Sequence, residues 1–303
     1  MNLKSTLLIF IDGLGIGKAD KKINPFFKYK FKIFTEYFNQ IPSLSNRYIE
    51  KDETAFLFPT DAHLGIPGLP QSGTGQTSIF CGINAAKKIG KHFGPYPYST
   101  LIPIIEKKNI FEEFLRLNKK VAFANAYPSI FFDYVNKGRR RLSVSTLSCI
   151  LSNVKLRSST DLRHSNAVSA EIDNEYWVKK LHYKIPIILP KTAAKRLLRL
   201  TERNHFTMFE YFHTDHLGHG RNKGDMEERL SVLDDFLFYV FTHIENDTNL
   251  IVCSDHGNLE DISVKTHTRN PALTITIGKD AKILRRKIKH LYDIKKAILG
   301  LYK

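Results

Sequence analysis

The chain has 303 residues, of which 42% are hydrophobic, enough for one large α/β domain or for a core with a small appendage. Its 46 Lys and Arg residues against 30 Asp and Glu residues give a net charge of +16, which favours anionic partners. The 3 cysteines are isolated, which argues against a disulfide framework, and the first apolar run is too short to span a bilayer. We therefore expect a cytoplasmic protein without a membrane partner.

Short apolar runs predict the strands of a central sheet. They alternate little between polar and apolar residues, as strands buried on both faces of a parallel sheet do. The predicted strands cover residues 5–11, 120–126, 206–213, 249–254 and 272–277.

Helical patterns separate several of these strands. Apolar residues at helical spacing predict helices over residues 191–204, 225–246 and 290–302. This alternation predicts an α/β fold with a doubly wound, mostly parallel sheet and helices on both faces. We expect residues 1–303 to form a single domain, with extra strands or at most a small cap in the less regular segment 128–190.

Carboxylates and imidazoles follow three of the predicted strands. In open α/β sheets, ligand sites form beyond the carboxyl ends of the strands, so these side chains should gather at one edge. A further histidine precedes the last predicted strand. The residues that we expect to meet there are Asp12, Asp215, His219, Asp255, His256 and His267.

This residue set indicates a metal site. Carboxylates that crowd together repel one another unless a cation lies among them. Mixed carboxylate and imidazole ligands suit zinc, manganese or iron better than calcium. The set is larger than one catalytic ion usually takes, so the sequence predicts a centre of two divalent ions.

The glycine-rich segment 68–86 supplies a candidate nucleophile. Its turn residues and the helical stretch that follows place Ser72 at or near a helix N-terminus, where the helix dipole favours negative charge. Metal coordination would lower the pKa of the hydroxyl and activate it. Thr74 is a rival nucleophile, and a plain helix-capping role for Ser72 is the alternative interpretation.

A small phosphorylated substrate fits the expected charge balance. Two divalent ions would be neutralised by Asp12, Asp215, Asp255 and a deprotonated Ser72. A phosphate dianion would then be held by the ions, by helix N-termini and by nearby basic groups. The candidate basic groups are Lys91, His92, Arg221 and Arg269.

Taken in order, these motifs resemble those of the alkaline phosphatase superfamily. The most similar branch holds the cofactor-independent phosphoglycerate mutases and the phosphopentomutases, and the sequence is also similar to a small group of uncharacterised bacterial metalloenzymes. The motifs are Asp12-Gly13, Ser72 within QSGTGQ, Asp215 with His219, Asp255-His256-Gly257-Asn258, and His267-Thr268.

The resemblance implies a role for each of these residues. It implies that one metal is bound by Asp215, His219 and His267. It implies that the other is bound by Asp12, Ser72, Asp255 and His256, and that Ser72 is transiently phosphorylated. The metals of that branch are typically manganese, and zinc occurs elsewhere in the superfamily.

The sequence departs from the mutase pattern in two places, and the second departure favours hydrolysis over intramolecular phosphate transfer. Gly75-Gln76 stands where the mutases usually have Gly-His. A chain of 303 residues also leaves little room for the inserted domain that keeps water from the mutase phosphoenzyme. We therefore predict a two-metal phosphoester hydrolase that acts through a phosphoserine, with a phosphomutase as the alternative.

A non-enzymatic alternative is a binding module of low activity on the same fold, which would use its positive charge to hold an anion or nucleic acid. The basic residues are spread along the chain, without the aromatic or zinc-finger patterns of nucleic-acid-binding modules. We therefore expect no specific nucleic-acid partner.

Overall fold

The computed structural model describes residues 4–138, 141–221 and 226–303. A seven-stranded sheet forms the centre, in the order β2-β3-β9-β8-β1-β7-β4, and a separate two-stranded sheet pairs β5 with β6. The strands are β1 (Ser5–Ile11), β2 (Ile49–Lys51), β3 (Ala55–Thr60), β4 (Val121–Phe123), β5 (Ala126–Tyr127), β6 (Arg157–Ser158), β7 (Phe206–Tyr211), β8 (Thr248–Cys253) and β9 (Ala272–Ile277).

Helices cover the sheet, together with one π-helical turn (Ile33–Tyr37) and one 3₁₀ turn (Ser99–Leu101). They are α1 (Pro25–Tyr29), α2 (Ser72–Cys81), α3 (Ala85–Ile89), α4 (Ile102–Lys108), α5 (Ile110–Arg116), α6 (Ser129–Asn136), α7 (Val144–Leu151), α8 (Ser159–Arg163), α9 (Glu175–Lys179), α10 (Pro190–Glu202), α11 (His213–Gly218), α12 (Met226–His243), α13 (Ala281–Lys287) and α14 (Asp293–Leu299). Among the described helices, none is both long and apolar enough to cross a membrane.

The central strand β1 shows why the fold has three layers. Every residue of β1 is buried. Successive side chains of a strand point to opposite faces. Leu7 and Ile9 accordingly join the apolar cluster that contains helices α10 and α12, whereas Leu8 and Phe10 join the cluster that contains α2, α5 and α14. The sheet therefore lies between two helical layers, as the doubly wound prediction requires.

The sheet is parallel at its centre and antiparallel at one edge. β1 pairs in parallel with β7 and with β8, and β4 pairs in parallel with β7. β9 runs antiparallel to β8 and β3, and β2 and β3 form an antiparallel edge. The mostly parallel α/β fold is confirmed, whereas the sequence patterns missed β2 and β3 and did not give the direction of β9.

The predicted strand over residues 120–126 is shorter in the structure, because the chain leaves the sheet at Asn125. The Asn125 side chain accepts from the Glu210 amide at 2.8 Å and donates to the Glu210 carbonyl at 2.8 Å. The side chain thus replaces the backbone pairing with β7, and the next residue pairs instead with Val168.

The segment 128–190 contains the short helices α6 to α9 and the strand β6. Part of it packs in a small apolar cluster around Trp177, which also includes Ala126, Leu162 and Ala167. The predicted helix over residues 225–246 is observed as α12, and its predicted first residue lies outside the described residues.

Candidate metal centre

Three neighbouring strands carry the predicted site to one edge of the sheet. β1 lies between β8 and β7, and the three strands run in parallel. Asp12 directly follows β1, and Asp215 lies in the short helix α11 after β7. Asp255 and His256 follow β8. The carboxyl ends of parallel strands meet at the same edge, and the side chains therefore converge there.

Asp12, Asp255 and His256 form a cluster that we call the inner group. The Nε2 atom of His256 lies 3.3 Å from Asp12 Oδ1 and 3.5 Å from Asp255 Oδ2. The Ser72 Oγ atom lies 3.0 Å from the same nitrogen. The side chains of Asp255 and His256 are 0% exposed, and that of Asp12 is 12% exposed. One buried nitrogen thus meets two carboxylates and a hydroxyl.

The carboxylates of the inner group are hard to ionise together without a cation. Burial, and then the charges of Asp255 and Asp215, raise the pKa of Asp12 well above its ordinary value. Burial and the charge of Asp215 raise the pKa of Asp255 to about 7. Burial lowers the pKa of His256 to about 3, so this imidazole is neutral. Among the described residues, no hydrogen-bond donor reaches Asp12 Oδ1 or Asp255 Oδ2.

Asp215, His219 and His267 form a second cluster, the outer group. The Nε2 atom of His219 lies 3.3 Å from Asp215 Oδ2, and that of His267 lies 3.4 Å from Asp215 Oδ1. The two Nε2 atoms lie 3.2 Å apart. The side chain of His219 is 24% exposed, so this group lies nearer to solvent than the inner group.

Backbone carbonyls orient both imidazoles of the outer group. His219 Nδ1 donates to the Lys265 carbonyl at 2.8 Å, and His267 Nδ1 donates to the Pro70 carbonyl at 2.6 Å. Because a carbonyl only accepts, the Nδ1 atoms carry the protons and the Nε2 atoms of the neutral rings keep their lone pairs. Two lone pairs that face each other beside a carboxylate require a proton or a metal ion between them.

The ionisation of Asp215 agrees with this view of the outer group. Burial opposes ionisation, but the hydrogen bonds with His267 and Asn258 outweigh it and lower the pKa of Asp215 below its ordinary value. Burial likewise opposes the charge on His267, and the hydrogen bond with Asp215 nevertheless raises its pKa. A proton shared between Asp215 and His267 therefore takes the place that a cation would fill.

The potential ligand atoms of both groups lie close enough together to hold a metal ion. The potential ligand atoms of Asp12, Asp255 and His256 lie within 4.8 Å of one another, as do those of Asp215, His256 and His267. His256 thus lies between the groups, and its ring stacks on that of His267 with centroids 3.7 Å apart. Mixed oxygen and nitrogen donors suit zinc or manganese. The structure brings together every residue predicted to bind metal, and their division between two ions stays a prediction.

Two buried residues after β8 support the site, and neither of them was predicted from the sequence to have a role there. Asn258 donates from Nδ2 to Asp215 Oδ1 at 2.7 Å and so fixes the outer carboxylate. Glu260 accepts from the Gly15 amide at 3.0 Å and from the Asn258 amide at 2.8 Å, and also from Thr268. The signal in the sequence is the run of polar residues in DHGNLE, which continues directly from a buried strand.

The helix α2 presents the candidate nucleophile. It begins at Ser72, which lines a cavity beside the inner group. Thr74 is fully buried, and its Oγ1 atom donates to the Gln71 carbonyl at 3.1 Å. The structure thus directs Ser72 towards the inner group, whereas the rival Thr74 bonds to the backbone of its own helix.

Two glycines allow the close packing of this region. A Cβ atom at Gly75 would lie 2.8 Å from the Cβ atom of Asp255, so only glycine lets α2 approach the inner group. Gly13 has a φ of 70°, and a Cβ atom there would lie 3.0 Å from Asp215 Oδ1. The turn after β1 therefore requires glycine for its conformation and for space.

A cavity of about 680 Å³ lies over the two groups. Its walls include residues from α2, from β7 and from the segment 128–190. The lining includes Ser72, Gln76, Tyr127, Phe131, Arg141 and Glu210.

The four basic residues predicted to bind substrate differ in their positions. Arg221 lines the cavity. Lys91, His92 and Arg269 are not among the described residues of its walls. Lys91 instead lies over the rings of Phe93 and Tyr98, and His92 hydrogen-bonds the Ile66 carbonyl.

Comparisons with known sequences identify the C-terminal part of the chain. Residues 188–302 match the model of the family described as the Metalloenzyme superfamily. That segment contains every predicted metal ligand except Asp12 and Ser72. No curated protein matches the sequence.

Comparisons with solved structures establish the fold. The PH0037 protein from Pyrococcus horikoshii superposes with a TM-score of 0.58 at 13% identity, over 99% of this chain and 98% of that one. The alkaline phosphatase from the Antarctic bacterium TAB5 superposes with a TM-score of 0.53 at 13% identity, over 99% of this chain and 98% of that one. A cold-active alkaline phosphatase from Shewanella sp. gives a TM-score of 0.53 at 11% identity, over 98% of this chain and 99% of that one.

The fold is thus alkaline phosphatase-like, as the resemblance implied, and the segment that supplies most of the candidate metal ligands matches the model of the Metalloenzyme superfamily.

Proposed function

We propose that the chain is a metal-dependent phosphoester hydrolase in which Ser72 is the nucleophile and is transiently phosphorylated. The observation that carries the proposal is the position of Ser72 Oγ, 3.0 Å from His256 Nε2, where the inner and outer groups meet in one cavity. The proposed substrate is a small phosphorylated molecule, which suits both the size of the cavity and the positive charge of the chain.

Residues of the two groups would hold one divalent ion each. Asp215, His219 and His267 are the proposed ligands of one ion, and Asp12, Ser72, Asp255 and His256 those of the other. When bound, such ions supply Lewis acidity to the phosphate and lower the pKa of a coordinated hydroxyl. The donor sets suit Mn²⁺ or Zn²⁺.

The residues of the chain position the reacting atoms. Ser72 is held at the start of α2, and Gly75 lets that helix lie against Asp255. Ser72 Oγ, once it has lost its proton, would form a bond to phosphorus while the bond from phosphorus to the leaving oxygen breaks on the opposite side. The leaving alkoxide then takes a proton and departs as an alcohol. Of the four predicted basic residues, Arg221 lies in the wall of the cavity, where it can attract the phosphate.

Access of water favours hydrolysis as the second step. Within the described part of the chain, the segment 128–190 adds short helices and a small cluster around Trp177, which is less than a closing domain. Water entering the cavity would cleave the bond between Ser72 and phosphorus and release inorganic phosphate. The return of phosphate to the substrate, which a mutase needs, requires water to be kept out.

The test combines metal analysis with substitution of Ser72. Purified protein, loaded with manganese or zinc, is assayed with a panel of phosphomonoesters and phosphodiesters for release of free phosphate. Ser72→Ala should lower turnover by about 10³-fold or more while the metal content stays close to that of the parent protein. A stalled reaction should leave one phosphoryl group on Ser72, detectable by mass spectrometry.

Thr74→Ala is the matched control, because it removes a neighbouring hydroxyl of the same helix. It should retain turnover within a few-fold. Full turnover in Ser72→Ala, or its loss only in Thr74→Ala, would contradict the nucleophile assignment. Formation of an isomer instead of free phosphate would indicate a mutase. Binding of DNA that falls steeply with salt, without turnover of any ester, would indicate a binding module.

A further inference from the structure

One wall of the cavity is built from hydroxyl groups that end on a buried carboxylate. The Tyr127 hydroxyl lies 2.6 Å from Thr146 Oγ1, which lies 2.9 Å from Ser143 Oγ. Ser143 Oγ lies 2.8 Å from Ser145 Oγ, which donates to Glu210 Oε2 at 2.5 Å. We call this chain of five residues the hydroxyl wall.

The carboxylate sets the direction of every proton in the hydroxyl wall. Each hydroxyl has one proton to donate, and an ionised carboxylate can only accept. Ser145 gives its proton to Glu210, so the other hydroxyls in turn donate towards Glu210, beginning with Tyr127. The groups that remain free to bind a ligand are therefore acceptors: the lone pairs of the hydroxyls and the carboxylate itself.

Glu210 is fixed in place and faces the cavity. It lies on β7, and the side chain of Asn125 holds its amide and its carbonyl. It is 6% exposed, and that small exposed part lines the cavity. Burial raises the pKa of its carboxyl to about 7 despite the hydrogen bond from Ser145. Above that pH the group is ionised, and its oxygens have lone pairs left to accept from a further donor.

The hydroxyl wall is attached to the helix of the nucleophile. Gln76 lies one turn after Ser72 on α2, and its Oε1 atom accepts from the Val144 amide at 3.2 Å at the start of α7. Gln76, Ser143 and Thr146 all line the cavity that contains Ser72. A phosphate held beside Ser72 would thus have the rest of its molecule within reach of the hydroxyl wall.

The charges around the wall favour a neutral donor over a cationic one. Arg141 and Arg221 line the same cavity and oppose a positively charged leaving group. The rings of Tyr127 and Phe131 stack with centroids 4.1 Å apart and give the cavity an aromatic side. Acceptors beside an aromatic surface suit a molecule with several hydroxyl groups on a carbon skeleton.

We propose that the hydroxyl wall, through Glu210, is a binding subsite for a leaving group that carries free hydroxyls, so that the substrate is the phosphate ester of a polyol or sugar. This inference rests on the proposed function, because it assigns the part of the substrate that leaves. Glu210 acts as a hydrogen-bond acceptor for a substrate hydroxyl and determines specificity.

The test compares two esters that differ only in hydroxyl groups. Glycerol 3-phosphate and propyl phosphate have the same carbon chain, and the ratio of their kcat/KM values does not depend on how much of the protein is active. The parent protein, loaded with metal, should prefer glycerol 3-phosphate at least about tenfold, as expected for a hydrogen bond to a charged group. Glu210→Gln should reduce this ratio about tenfold, and Ser145→Ala should reduce it by a smaller factor.

Glu171→Gln provides the matched control. Glu171 is also a buried carboxyl whose pKa burial raises to about 7, but it lines a different cavity. Its substitution should leave the ratio unchanged.

2-Aminoethyl phosphate tests the cationic alternative and should be the poorest substrate of the three.

The outcomes separate the two proposals. Equal kcat/KM values for the glycerol and propyl esters, or a ratio that Glu210→Gln leaves unchanged, would overturn the subsite while phosphatase activity stands. A preference for 2-aminoethyl phosphate would overturn it as well, since the carboxylate would then bind a cation. Turnover of other esters of the wider panel but of none of these three would overturn the subsite alone. Turnover of no ester in the whole panel would overturn the proposed function, and the subsite with it.

Discussion

The inner and outer groups contain the same residue types, but the protein prepares them for a cation in different ways. In the outer group, backbone carbonyls hold both imidazoles with their Nε2 atoms facing Asp215. In the inner group, two buried carboxylates lie against one neutral imidazole, and the pKa values of both are raised by burial and by neighbouring charge. The side chains of the outer group are thus oriented before a metal binds. In the inner group, the two carboxylates repel each other when ionised, and a cation relieves that repulsion.

The largest effect that distinguishes the two groups should come from Asp255→Asn. Loss of an inner ligand should lower turnover by about 10³-fold or more, because the ion beside Ser72 would be lost. The same change should stabilise the metal-free protein. The folded pKa of Asp255 lies above its unfolded value, so the metal-free parent loses stability as pH rises from about 4 to about 7. At pH 8 the gain on substitution should be about 2 kcal/mol or more.

Thermal unfolding of the parent and the variant at pH 4.5 and pH 8, after a chelator has removed the metal, measures this difference in stability. Asp255→Asn should unfold at a higher temperature than the parent at pH 8 and at nearly the same temperature at pH 4.5. A lower Tm for the variant at pH 8 would show that the carboxylates of the inner group do not repel each other in the metal-free state.

A smaller effect is expected from His219→Ala in the outer group. The variant should lose one bound ion per chain and lower turnover by about 10²-fold, while the inner ion stays. Its metal-free stability should match that of the parent, because His219 is the most exposed ligand of the two groups. Metal analysis after dialysis checks the predicted loss of one ion, and Tm measured in the presence of a chelator checks the metal-free stability.

His216→Ala is the control for this change, since His216 lines the same cavity and is not a proposed ligand. It should retain the metal content of the parent. If His219→Ala kept both ions, His219 would not be a ligand and the outer group would need revision.

The smallest effect on turnover, namely none, is expected for a buried carboxyl that belongs to neither group. Glu171 is buried, and no described residue hydrogen-bonds its Oε1 atom. Burial raises its folded pKa to about 7 from an ordinary value of 4.5, so its ionisation destabilises the fold as pH rises through this range. Glu171→Gln should therefore be more stable than the parent above pH 7, by up to about 3 kcal/mol, and equal to it near pH 4.

Denaturant unfolding at several pH values, with metal present throughout, measures this difference, and turnover should not change. A stability difference that is independent of pH would show that the substitution acts through packing instead of ionisation.

The parts of the fold that the sequence predicted are those with strong local patterns. The buried strands β1, β8 and β9 and the long helix α10 have continuous apolar runs or helical spacing, and their bounds agree to within one or two residues. Most of the candidate metal ligands were predictable because they follow strands whose carboxyl ends meet at the same edge. His267 reaches that edge because it precedes β9, which runs antiparallel to β8.

The antiparallel edge was not predictable in the same way. β2 has only three residues, and Pro59 in β3 is a residue that argues against a strand. Pro59 is tolerated because β3 pairs with β2 only over Ala55–Leu57, and beyond that its sole neighbour is β9. The direction of β9 depends on connections that composition does not encode.

The hydroxyl wall and the supporting contacts were also beyond the sequence patterns. Tyr127, Ser143 and Glu210 come from separate parts of the chain, and no spacing relates them. Asn125 shows the same limit, because its side chain ends β4 by bonding to Glu210 on β7. Such contacts depend on tertiary structure, which a local pattern does not report.

The central position of β1 has a consequence for how the protein is made. β1 is the first strand of the chain, yet its partners are β7 and β8, with Thr6 opposite Phe206 and Ser5 opposite Thr248. During synthesis this apolar strand emerges from the ribosome long before either partner exists, so it must wait unpaired or be shielded by a chaperone. Asp12 can meet Asp255 only after translation has passed β8, so the inner group cannot form, or hold a cation, before that point.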